Sequence, residues 1–82
     1  MTLQVDFQAG SAEAVGTAYR RYGRMVYAVA FKQLGNRELA EEAVQEAFVR
    51  AWRAAESFDC DKEIGPWLAT ISRRVAIDIH RR

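Results

Sequence analysis

The chain has 82 residues, half of them apolar or aromatic, with 12 Lys and Arg against 11 Asp and Glu; this holds one small domain of modest stability. A net charge of +1 excludes nucleic-acid binding driven by overall charge, so any such surface must arise from where the charges lie. A single cysteine, Cys60, and a single histidine, His80, exclude an internal disulfide and provide no metal-ligand set.

Residues 1–10 read as a flexible or short helical N-terminal segment. The start, MTLQVDFQAGS, lacks the basic-then-apolar order of a signal peptide. Ser11 is placed to cap a helix, and Glu13 lies in the first turn, where a carboxylate complements the helix dipole. Val15, Tyr19, Tyr22, Met25, Val26, Val29, Ala30 and Leu34 then recur at helical spacing. Gly23 interrupts that run, which is compatible with one helix or two. Gly35 suits a left-handed helix terminator, and Asn36 suits the cap of the next helix.

The spacing predicts the clearest helix over 36–56. Leu39, Ala43, Ala47 and Ala51 interleave with Ala40, Val44, Phe48, Trp52 and Ala55 to form a broad apolar face. Glutamates fill its first half, and Arg50 and Arg53 its second, in the order the macrodipole favours. A polar loop of roughly eight residues, 58–65, follows. Pro66 then suits the first turn of a last helix, whose buried stripe is Leu68, Ile71, Val75 and Ile79. No segment alternates like a strand. The predicted fold is all-α, a compact bundle of three to four helices over residues 11–82. No apolar run is long enough to span a membrane, so a soluble, cytoplasmic domain without membrane insertion is expected.

Two helix faces stand out. On helix 36–56 the polar side gathers Glu38, Glu42, Gln45, Glu46, Val49 and Arg53. An apolar centre ringed by polar groups resembles a helix-docking patch, although a lone exposed valine is also ordinary on a solvated face. On the last helix Thr70, Arg73, Arg74, Ile77 and Arg81 share one side, with Trp67 at its edge. Arginines hold phosphates and stack on bases, and an aromatic beside them suits single-stranded nucleic acid. The plainer alternative is a solvated basic face with Trp67 in the core, where a side chain of its size belongs. Cys60 has only Lys62 as a basic neighbour and reads as incidental. His80 has no evident catalytic partner, and neither a Ser–His–Asp set nor a glycine-rich phosphate loop occurs. No catalytic residue and no cofactor is therefore expected.

AEEAVQEAFVRAW at 40–52, FD at 58–59 and PWLATISRRVAIDIHRR at 66–82, preceded by AYRRYGRMVYAVAFKQLGN at 18–36, together resemble region 2 of an extracytoplasmic-function (ECF) sigma factor. These are the specificity subunits of bacterial RNA polymerase. The resemblance runs from about Gly10 to the end. It implies that Glu42, Gln45, Glu46, Val49 and Arg53 dock on the coiled-coil clamp helices of the polymerase β′ subunit. It implies further that the non-template strand of the melted promoter −10 element is read by the loop and last helix. A base flipped out of the stack would sit in the 58–65 loop, whose capture offsets the cost of unstacking. The residues so assigned are Phe58, Asp59, Asp61, Lys62, Glu63, Ile64, Thr70, Arg73, Arg74, Ile77 and Arg81. Arg74 stands where many family members carry Asn; an amide donates and accepts, whereas a guanidinium only donates, which alters the edge that position accepts. Asp59, Asp61 and Glu63 make the loop too acidic for a phosphate clamp and better suited to base contact.

The family also carries a −35-binding helix-turn-helix domain, which nothing in these residues supplies; the chain is expected to be the first domain of a longer protein, the alternative being a naturally short one. A cognate anti-sigma factor covering the same surfaces is implied as a further partner. Two other classes stay open on the residues alone: a double-stranded DNA-binding helix-turn-helix regulator and a helical protein-interaction module. The long loop argues against the former, whose turn takes about three to four residues.

Overall fold

The computed structural model describes residues 2–82. It consists of helices α1 (Leu3–Gln8), α2 (Ala12–Leu34), α3 (Arg37–Arg53) and α4 (Ile64–His80), with a 3-10 turn at Ala55–Ser57. Each of the three long helices packs on the other two, so they form a three-helix bundle, 38 × 20 × 18 Å along its principal axes. The short α1 lies against α2 and the 3-10 turn.

The helix boundaries follow from local chemistry. Thr2, Ser11 and Asn36 each accept a bond from the backbone N–H three residues on, at 3.3, 3.3 and 2.9 Å, satisfying donors that a helix start leaves unpaired. Gly35 ends α2 in the left-handed conformation at φ 62°, open to glycine without a Cβ penalty. Gly23 does not break the helix: α2 runs for 23 residues. A glycine costs a helix about 1 kcal/mol, and the burial of Ala18, Val26 and Ala30 on either side of it outweighs that.

The core is small-residue on one side and bulky on the other. Ala40, Ala43, Ala47 and Ala51 of α3 are buried and let the neighbouring helices approach closely. Leu68, Val75 and Ile79 of α4, together with Val26, Val44 and Phe48, fill the remaining space. Ser72, buried among them, donates its hydroxyl to the Leu68 carbonyl at 2.7 Å, the back-bond by which a helical serine avoids an unpaired polar atom. Across the bundle, Arg50 of α3 reaches Asp78 of α4 at 2.9 Å while also holding Glu46 at 3.1 Å. The hydrogen bond to Asp78, then that to Glu46, pushes the Arg50 pKa above its ordinary value against desolvation.

The last helix begins earlier than its proline suggests. Ile64 is its first residue and Pro66 its third, still within the turn whose N–H groups have no helical partner. The loop between the 3-10 turn and α4 is thereby shortened to 58–63. Gly65 is the tight point: a Cβ there would lie 3.2 Å from the Tyr22 ring of α2, so the two helices meet where a side chain is missing.

Candidate nucleic-acid and protein interfaces

Below the start of α4 the chain forms an open cleft of about 720 Å³, lined by Ser57, Phe58, Asp59, Lys62, Glu63, Pro66, Trp67 and Thr70. Its floor is aromatic. The Trp67 ring meets Phe58 with centroids 5.0 Å apart, and both contact Phe7 of α1, at 5.7 and 5.9 Å and nearly perpendicular. Edge-to-face pairs of this kind are worth about 0.5–1.5 kcal/mol each beyond the area they bury. The rim is polar, with Lys62 between Asp59 and Glu63. An Asx turn sets the loop: the Asp59 carboxylate accepts from the Asp61 N–H at 3.0 Å, and the Asp59 carbonyl from the Lys62 N–H at 3.0 Å.

The structure brings together Phe58, Asp59, Lys62, Glu63 and Thr70 of the residues expected to touch DNA, and corrects two of them. Phe58 is 2% exposed and Ile64 1%, so neither presents a side chain to a ligand. Phe58 is the cleft's floor, held by Phe7 and Trp67. Ile64 heads the buried stripe of α4, four residues before Leu68, because the helix starts there and not at Pro66. Asp61 is exposed but lies outside the cleft. Trp67, expected in the core, is half-buried and shared between core and cleft.

Beyond Thr70 a basic stripe continues along α4. Arg73, Arg74 and Arg81 are exposed, with Ile77 half-buried between them. At 1.5 Å per residue the stripe extends ~16 Å from Thr70 to Arg81. Among the described residues no carboxylate forms an ion pair with Arg73, Arg74 or Arg81.

The outer face of α3 differs from its sequence reading. Gln45 and Arg53 are exposed, and Val49 is 39% exposed. Trp52, expected on the apolar face, is 51% exposed. It lies three residues from Val49 on the same ridge, and its Nε1 donates to the Gly10 carbonyl at 3.4 Å. Two acidic residues of this face are already engaged: Glu46 with Arg50 at 3.1 Å, and Glu42 with Arg82 at 2.8 Å. The ridge is therefore apolar and amide-bearing at its centre, with the carboxylates of Glu42 and Glu46 held by arginines. A helical wheel counts Trp52 with the buried stripe because it lies at the stripe's margin.

A second concavity, about 540 Å³, separates α2 from α3. Tyr19, Gly23 and Tyr27 lie along one wall with Arg20 and Arg24, and Glu41, Val44 and Gln45 form the other. Tyr19, expected in the apolar stripe of α2, is half exposed here and leans on Phe48 with centroids 5.1 Å apart.

The profile of sigma-70 region 2 matches residues 18–82. The chain belongs to the sigma-70 region 2 family. Within it, the chain is a region 2 of the ECF type, the description that its relatives BldN and SigW carry. It is 36% identical over 79 residues to the ECF RNA polymerase sigma factor BldN of Streptomyces coelicolor, covering 95% of this chain and 30% of BldN. It is 33% identical over 73 residues to the ECF RNA polymerase sigma factor SigW of Bacillus subtilis, covering 89% of this chain and 39% of SigW. It is 32% identical over 80 residues to the RNA polymerase sigma factor CnrH of Cupriavidus metallidurans, covering 96% and 41%. The chain thus spans well under half the length of these curated relatives. Region 2 begins, by the family match, within α2; α1 and the first turns of α2 precede it. Among the described residues no helix is long and apolar enough to cross a membrane, and no cluster of His, Cys, Asp and Glu could hold a metal ion.

Proposed function

We propose that this domain acts in transcription initiation, docking on the β′ clamp helices of RNA polymerase through the α3 ridge. In the same complex it holds the melted non-template strand of the −10 element, with one base turned into the cleft and the following backbone laid along α4. The observation that carries this reading is the cleft itself. The Trp67 ring, half-buried on an aromatic floor, offers a stacking surface, and the rim of Asp59, Lys62 and Glu63 offers both donors and acceptors to a base edge. A base edge becomes fully accessible only when unpaired, so this shape suits melted DNA better than duplex. The uncompensated arginines of α4 supply phosphate contacts. Arg74, a donor only, favours acceptor-rich partners, phosphate among them. The ridge suits a helix partner because Val49 and Trp52 provide an apolar centre with a polar rim. An anti-sigma protein would compete for these faces.

Two measurements test the reading. Val49→Glu places a carboxylate at the ridge centre, and it should weaken binding to the β′ clamp helices roughly tenfold or more without lowering the Tm. Unchanged binding removes the ridge from the interface. With polymerase core present, a labelled −10 single strand should bind more tightly than either the matched duplex or a scrambled strand. Preference for duplex instead identifies a double-strand reader.

A further inference from the structure

We infer that α1, which lies outside the family match, is a working part of the base-reading cleft, and that Gln8 and Phe7 position its floor. The inference rests on the cleft being the base site. The family match begins at residue 18, yet α1 reaches fifty positions along the chain to touch the cleft from behind. Phe7 is fully buried and sets its ring edge against both Phe58 and Trp67. Gln8 donates its side-chain amide to the Phe58 carbonyl at 2.8 Å.

The second contact separates positioning from packing. A phenylalanine fills space wherever a core has room, but Gln8 is only half-buried and adds little apolar area. What its amide does is hold one carbonyl, at the residue where the chain leaves the 3-10 turn and enters the loop. Fixing that carbonyl fixes the direction in which Asp59 departs, and with it the cleft's rim. The turn just beyond α1 is fastened as well, by the bond from Trp52 to the Gly10 carbonyl. Gly10 itself has φ 80°, a conformation that glycine adopts without strain and that turns the chain directly into α2. Held through Phe7, Gln8 and the Gly10 turn at its C-terminal end, α1 keeps the floor in its binding geometry before a base arrives, which reduces the ordering cost of capture.

The test uses the 82-residue chain bound to polymerase core, with labelled single strands carrying either the −10 sequence or a scrambled one. Gln8→Ala removes the donor; Gln8→Glu keeps the length and also removes it. Both should lower affinity for the −10 strand roughly threefold to tenfold, with a smaller loss for the scrambled strand and no change in affinity for the core. Phe7→Leu, which retains apolar volume but not the ring edges, should narrow the same discrimination. Ala30→Gly, in the distant part of α2, lowers stability without touching the cleft and should leave discrimination intact. If both Gln8 variants discriminate as well as the parent while Trp67→Ala does not, α1 is packing alone and the cleft reading stands. If Trp67→Ala also discriminates normally, the cleft reading falls and this inference with it.

Discussion

The exposed ridge of α3 needs one helix to exist. Gln45, Val49 and Arg53 come into line through the 3.6-residue repeat alone. The cleft needs four pieces of chain: α1 behind it, the 3-10 turn and loop across it, α4 above, and α2 pressing Tyr22 onto Gly65. A surface carried on one element can change residue by residue without risk to the fold. A surface assembled from several shares its residues with the core, so binding and stability there vary together.

Phe58→Ala is the harshest test of that coupling. Removing a buried phenylalanine costs about 3–5 kcal/mol, a large part of the total for a domain of this size. Urea denaturation should show that loss together with abolished −10 binding; a stable variant that merely bound DNA poorly would separate the two properties. Arg50→Ala probes the ground behind the ridge. It releases Glu46 and breaks the bridge to Asp78, but these groups are substantially exposed, so a loss of about 0.5–1 kcal/mol is expected, smaller at high salt. Trp52→Phe is the mildest. It keeps most of the ridge's apolar area and removes only the long bond to Gly10, so stability should fall by about 0.5 kcal/mol while clamp-helix affinity changes little. A large loss of −10 discrimination in this last variant would mean that the ridge and the cleft communicate through α1.

Much of the domain was legible before any coordinates. The helical repeats of α2, α3 and α4, the caps at Ser11 and Asn36, and the terminator at Gly35 are local features whose causes lie within a few residues. The basic stripe of α4 was equally legible, since one helix carries it. Ile64 was misread as surface because a loop boundary was set at Pro66; a proline is tolerated anywhere in a helix's first turn, so it does not mark the first residue. Phe58 was misread because its partners Phe7 and Trp67 lie elsewhere in the chain. Phe7 and Gln8 were missed for a different reason. A six-residue helix leaves too short a pattern to read, and the partners that give those two residues their meaning lie fifty positions away.

By itself the sequence determined the all-α class, the helices and their faces, because hydrophobic period and capping chemistry act over a turn or two of backbone. Whether Trp52 faces solvent, that the residues at both ends of the loop are core, and what closes the back of the cleft were decided only by the tertiary structure. These depend on which distant side chain arrives at a given spot, and close packing allows one arrangement.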